Sequence, residues 1–244
     1  MSQFAKIKTI LILNHLILLV GLFYASPVWL LLSIVGTVLF GRIGQEIALH
    51  RYFSHRSFKM AKWKEIVTMF LSVFSGAGSP MMWVGIHRKH HAFSDQPGDP
   101  HGNQSALRVW STFWEPFEFE TKYVKELMRD PLQRFVHRHY FKIYIVGYLL
   151  MTAIDWRIAV FLASGGFVIS IHTAGAVNTL CHKYGYRNFE TADKSTNNSI
   201  VNFFAMGSGL HNNHHARPTD WTTKVKDNEY DFCGWIIEKF LKEN

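Results

Sequence analysis

Long apolar runs separated by charged segments dominate the pattern of this chain. Four runs stand out, at residues 7–24, 28–49, 141–154 and 158–181. The longer ones approach the ~20 residues that cross a hydrocarbon core. The breaks at Ala25 and at Asp155 are too short for anything but antiparallel connections. The pattern therefore predicts an all-α integral membrane protein with four transmembrane helices in two hairpins.

A fifth apolar region, residues 66–84, is interrupted by the stretch from Ser75 to Pro80. A crossing here would place the next polar motif on the opposite side from His50. We therefore expect a helix that lies in or near the membrane interface. The remaining segments, 50–140 and 182–244, are polar and are expected to form a helical cap, so that 1–244 is a single domain.

Charge predicts the orientation of the helices. Lys and Arg number 13 in residues 51–141 and 8 in residues 183–244, whereas the two proposed outer turns hold only Arg157. The positive-inside rule then places the cap and both termini on the cytoplasmic side. The net charge of +8 follows no basic stripe, so membrane-surface attraction explains it better than nucleic-acid binding.

The histidines are the candidate metal-binding residues of this chain. Eight of the 14 histidines fall into three clusters, which read His50-Arg-Tyr-Phe-Ser-His55, His87-Arg-Lys-His90-His91 and His211-Asn-Asn-His214-His215. Helical positions i, i+3 and i+4 share one face, so the last two clusters can each converge. Adjacent histidines splay by about 100°, which suits two neighbouring metals. The histidines of the first cluster are five apart and are not expected to share a helical face, with His50 ending the second helix.

Eight imidazoles exceed the three or four ligands of one zinc site, so two redox metals are predicted. Imidazole binds Fe, Cu and Zn alike, and spacing alone does not choose among them. Glu46 lies four residues before His50 and is expected either to hydrogen-bond its imidazole or to pair with Arg42.

The motifs H-R-Y-F-S-H, H-R-K-H-H-A-F-S-D-x-x-x-D-P-H, G-L-H-N-N-H-H and N-T-L-C-H resemble those of membrane fatty acid desaturases of the Δ9 acyl-CoA and acyl-lipid type. The resemblance runs from about residue 27 to 218. It implies a di-iron centre with nine ligands, namely His50, His55, His87, His90, His91, His182, His211, His214 and His215. Asn178 is implied to contribute through water, and Asp99 and His101 are expected to support the centre without binding metal.

The resemblance also implies a reaction. An O2-dependent desaturase would introduce a cis double bond, at Δ9, into a saturated long-chain acyl-CoA or acyl-lipid. The two electrons would come from a separate donor, ferredoxin or cytochrome b5, because the chain has no G-x-G-x-x-G motif and only two cysteines. A related histidine-rich hydroxylase remains an alternative, and a metal-transporting membrane protein is an alternative of another class.

One prediction separates two histidines on the last apolar run. Ten helical residues place His172 about 15 Å from His182 along the axis. His182 is therefore expected to bind metal at the cytoplasmic end, whereas His172 is expected to lie near mid-membrane and to bind none.

Overall fold

The computed structural model describes residues 3–101 and 120–243, and within these ranges the elements are helices. Residues 102–119 of the predicted cap lie outside the described residues. The helices are α1 (Gln3–Gly21), α2 (Pro27–Gly36 continued by Thr37–Ser54), α3 (Lys62–Ser72), α4 (Pro80–Phe93), α5 (Pro131–Ile154), α6 (Trp156–Ile158, Ala159–Gly165 and Gly166–Leu180 in succession), α7 (Ser199–Ala205), α8 (His211–Ala216) and α9 (Phe232–Ile236 continued by Ile237–Leu241). The predicted all-α fold is confirmed for the described residues.

Three helices are long and apolar enough to cross a membrane, over Ala5–Tyr24, Pro27–Ser54 and Trp156–Leu180. They coincide with three of the four predicted runs. The fourth, 141–154, is the C-terminal half of α5, which begins ten residues earlier. Asp130 caps this helix by accepting hydrogen bonds from the backbone N–H groups of Leu132 and Gln133. The first half of α5 carries charged residues, so a search for apolar runs finds only its second half.

Both hairpin turns lie at the same end of the molecule. The rings of Tyr24 and Trp156 meet edge to face at 5.4 Å, and the Arg157 guanidinium lies 4.6 Å from the ring centroid of Trp29. Between the turns and the far end, α2 crosses α6 closely, and a Cβ at Gly36 would overlap the carbonyl of Leu162. The opposite ends of α2 and α6 are thereby brought together.

The region predicted to be one interfacial helix over 66–84 consists of two helices instead. The segments Lys62–Ser75 and Pro80–Phe93 meet at an angle of 80°, and together they would make a fourth apolar span. Gly76 and Gly78 form the corner with φ values of 83° and 82°, a backbone region that disfavours side chains. This corner directs α4 toward the C-terminal end of α2, which it contacts.

The second apolar helix is longer than the predicted 28–49. It runs to Ser54, and its part from Thr37 onward has the wider π-type winding, in which a backbone N–H bonds to the carbonyl five residues earlier. The last such bond joins the N–H of His55 to the carbonyl of His50. This winding determines how the first histidine cluster is presented.

Candidate metal centre

The nine histidines that the resemblance implies as ligands gather into two neighbouring groups. Within each group one nitrogen of every ring lies within 4.8 Å of the others. One group contains His50, His55, His87, His91 and His214, and the other contains His90, His182, His211 and His215. All nine lie at or just past the C-terminal ends of α2, α4 and α6, or on α8, far from the hairpin turns.

Helix geometry distributes the histidines between the groups. On α4, His87 and His91 are one turn apart and share the five-histidine group, whereas His90 points into the other group. On α8 the division is reversed, because His211 and the residue one turn later, His215, lie in the four-histidine group and His214 does not. Each short helix thus contributes to two adjacent sites, because consecutive side chains diverge by about 100°.

The expectation that His50 and His55 do not share a face is wrong. Their ring centroids lie 5.1 Å apart and both belong to the five-histidine group. The expectation assumed 3.6 residues per turn. In the π-type winding at the end of α2, the residue five positions on is the one stacked a turn away.

Contacts within the groups are made by the Nε2 atoms. Nε2 of His214 lies 2.8 Å from that of His50 and 3.0 Å from that of His91. Nε2 of His211 lies 3.0 Å from that of His182. Two imidazole nitrogens held at right angles about one metal, each about 2.1 Å away, would be about 3 Å apart. The spacing therefore fits a bound metal ion.

Two buried nitrogens reinforce this fit. Nε2 of His90 and Nε2 of His215 are buried without a hydrogen-bond partner in the described structure. Unpaired polar atoms of this kind are costly inside a protein. Both atoms belong to the four-histidine group, where a metal ion would satisfy them.

Carboxylates hold four of the imidazoles from behind. Nδ1 of His50 lies 3.0 Å from Glu46, and the Nδ1 atoms of three others lie 2.7–2.8 Å from an aspartate, in the pairs His90–Asp99, His182–Asp95 and His215–Asp193. An ionised carboxylate only accepts hydrogen bonds, so each Nδ1 donates. The lone pair of each ring is then left on Nε2, the atom that faces the group.

Electrostatics favour the charged form of Asp193 and the neutral form of His211 and His214. Burial opposes ionisation of Asp193, but the hydrogen bonds from His215 and Ser195, together with the charge interaction with His215, outweigh it and hold the pKa of Asp193 well below its usual range. Burial, together with the neighbouring imidazoles, lowers the pKa of His211 and His214 far below the ordinary histidine value. Neutral imidazole is the form that binds metal.

A buried ion-pair network anchors the end of α2. Glu46 also accepts a hydrogen bond of 3.1 Å from Arg51, which is 1% exposed. Two further hydrogen bonds, of 2.6 and 3.1 Å, join Arg51 to Asp231 at the start of α9. Arg42, the alternative partner considered for Glu46, instead donates to the carbonyl of Ala205 and to the hydroxyl of Thr173.

One cavity opens beside the four-histidine group. It is lined by His90, His182, Asn178 and His101, together with Asp95 and Asp99. Asp99 also accepts a hydrogen bond of 2.8 Å from the backbone N–H of His101. The structure therefore places Asn178, Asp99 and His101 around this group and none of them beside the five-histidine group.

His172 lies in neither group. Its Nε2 is 3.1 Å from Nε2 of His15 on α1, so these two rings meet between α1 and α6, away from the metal centre.

Two supporting residues were missed by sequence reasoning. Asp95 stands inside the quoted second motif, four residues after His91, and that position was a usable signal. Asp193 lies in the irregular segment between α6 and α7, 22 residues before its partner His215, and no local pattern marks it.

Comparison with known proteins agrees with this architecture. The family model for fatty acid desaturases matches residues 24–244. An sn-1 stearoyl-lipid 9-desaturase of Anabaena variabilis is 33% identical over 72% of this chain and 67% of its own length. An acyl-CoA 5-desaturase of Anemone leveillei is 32% identical, over 83% of this chain and 68% of its own length. A Delta-9 desaturase-like protein of Arabidopsis thaliana is 34% identical over 84% of this chain and 72% of its own length. The matched segments thus span about two thirds to three quarters of these relatives. With its apolar helices and its histidine clusters, the chain belongs to the fatty acid desaturase family of membrane oxidoreductases.

Proposed function

We propose that this protein is an O2-dependent Δ9 desaturase with a di-iron centre, which introduces a cis double bond into a saturated long-chain acyl-CoA or acyl-lipid. The observation that carries the proposal is the pair of adjacent histidine groups, with Nε2 atoms facing inward and four Nδ1 atoms held by carboxylates. Relatives named as 9-desaturases support Δ9, and they outnumber the relatives named as 5-desaturases.

In this proposal each residue has a defined task. The five-histidine and the four-histidine groups would each hold one iron, with Asn178 contributing to the second through water. Bound iron would supply the O2-dependent oxidation of two adjacent methylene groups. The protein would bind and orient the ions, and its four carboxylates, whose side chains are little exposed, would fix the imidazole tautomers and offset positive charge. His101 and Asp99 would support His90.

The proposed topology has four crossings, by α1, α2, α5 and α6, with both termini and the metal centre in the cytoplasm. Support comes from the two hairpin turns at one end of the molecule and the histidines at the other. The basic residues of the cap support it too, and their charge suits an acidic electron donor, either ferredoxin or cytochrome b5.

The test is expression in a host that lacks its own desaturase, followed by gas chromatography and mass spectrometry of the lipids. We expect a new cis-Δ9 alkene that requires O2. Recovery of a hydroxylated chain instead would favour the related hydroxylase. Protein purified without oxygen should contain two Fe per chain, and one zinc with no iron would contradict the proposal.

A further inference from the structure

The polar C-terminal part of the chain contains a short apolar segment that contributes to neither histidine group. It is α7, Ser199–Ala205, which the proposed topology would leave in the cytoplasmic cap. Three large side chains on one face of this short helix are strongly exposed, namely Ile200 at 74%, Phe203 at 68% and Phe204 at 60%. Their spacing of three and four residues places them together.

The other face of α7 packs against the last turns of α6. Val201 and Ala205 are buried in one cluster with Val177 and Cys181. The helix therefore runs alongside α6, one of the three helices apolar enough to cross the membrane.

The direction of α7 follows from its hydrogen bonds. Just before the helix begins, the side chain of Asn198 donates to the carbonyl of Tyr184, which lies beyond the end of α6. At its last residue, the carbonyl of Ala205 accepts a 3.0 Å hydrogen bond from Arg42, and the same guanidinium donates to Thr173 at 2.6 Å.

These contacts show how far α7 extends along α6 from the end of that helix. Thr173 lies seven residues before the end of α6 at Leu180, which is about 10 Å along the helix axis. The helix α7 therefore descends by about that distance, and the chain then returns, since the backbone N–H of Asn198 bonds to the carbonyl of Gly209. The segment thus folds back on itself, and its far end lies beside the apolar helix α6.

We propose that α7 is inserted into the cytoplasmic leaflet, with Ile200, Phe203 and Phe204 in contact with lipid acyl chains. The face is continuous with the apolar surface of α6, because Ile169, one turn below Thr173, is also exposed. A depth of about 10 Å matches that of helices held in the boundary between headgroups and acyl chains. Arg42 is 4% exposed and caps the buried C-terminal carbonyl of α7, which compensates part of the cost of a charge at this depth.

The inference rests on the proposed crossings of α1, α2 and α6. Its test distinguishes a failure of the α7 insertion from a failure of those crossings. Full-length protein in lipid nanodiscs would carry single cysteines at Phe203 or at Ile200, labelled with an environment-sensitive fluorophore. Native Cys181 and Cys233 are both fully buried and should take little label. Leu19, exposed on α1, and Asp227, exposed in the cap, provide the lipid and water controls.

We expect the label at either α7 position to be quenched by lipids brominated near the headgroup and to resist aqueous iodide, as the label at Leu19 resists it. Quenching by iodide to the extent seen at Asp227 would overturn the insertion. Protection from both quenchers would overturn it too, because the face would then be covered by protein. Failure of the Leu19 label to sense lipid would contradict the crossing of α1 instead.

Discussion

Glu46 is the residue whose role is defined most sharply by its contacts. It accepts from Nδ1 of His50 and from Arg51, and it is the one carboxylate that backs the five-histidine group among the described residues. The three aspartates all back the other group. Glu46 therefore controls one site of the two.

Replacing Glu46 by Gln should lower the iron affinity of the five-histidine group and leave the other group intact. The neutral amide no longer offsets the metal charge, and changes to such partners typically cost about 10–100-fold in affinity. Iron titrations followed by metal analysis should show one weak and one tight site. Glu65→Gln is the matched control, since Glu65 is equally buried but bonds to Tyr52 and Lys62. Two tight sites in Glu46→Gln would contradict the role.

At this scale the sequence singled out most of the side chains that the structure brings together, and their roles as metal ligands stay predictions. Nine histidines, Glu46 and Asp99 were named from spacing and resemblance, because short-range helical geometry and motif chemistry are local. Asp193 was not, because its contact with His215 depends on how an irregular segment folds back over α8.

At the scale of single helices, α6 carries a histidine pair that tests the depth of the centre. His182 lies just past the end of α6 and bonds to Asp95, whereas His172 contacts His15 on α1. We expect His182→Ala to lose iron from the four-histidine group and to lose desaturation. His172→Ala should retain two irons, whatever its effect on rate. Metal analysis of both purified variants provides the comparison, and loss of iron from His172→Ala alone would show that the depth is wrong.

The contact between α2 and α9 predicts a stability effect. Asp231→Asn leaves the buried Arg51 with only Glu46 as an ionic partner, and breaking a buried pair costs about 3–5 kcal/mol. A clear fall in the apparent Tm is therefore expected. Asp130→Asn is the matched control, because Asp130 also caps a helix but faces only the exposed Lys62. Equal Tm values for the two variants would show that Arg51 needs no such partner.

Helix boundaries were the least predictable part of the fold. Apolar runs located α1, α2 and α6, but they placed the start of α5 ten residues late and missed the 80° corner between α3 and α4. The winding of α2 was also unforeseen, since no residue type marks a π-type helix, and this winding brings His50 and His55 into one group.

On the scale of the whole molecule, the two hairpin turns lie at one end and the two histidine groups lie at the other. The rings of Tyr24 and Trp156 join the turns, while the ends of α2, α4 and α6 converge on the histidines. If α1 and α2 cross and return, α6 can run back toward the histidines only after another crossing. The helix α5 ends at the turn, so it is the segment that would make this crossing, although its apolar half is short.

This arrangement predicts which positions a membrane-impermeant maleimide reaches in intact cells. Single cysteines at Ala25 and Ile154, both exposed beside the turns, should be labelled from outside. A cysteine at Lys224, exposed in the cap, should be labelled only after permeabilisation. Buried Cys181 and Cys233 keep the background low. Labelling at Ala25 without labelling at Ile154 would show that α5 does not cross the membrane. Helix α6 would then start on the cytoplasmic side, and the histidine groups would lie outside the cell, which contradicts the proposed topology.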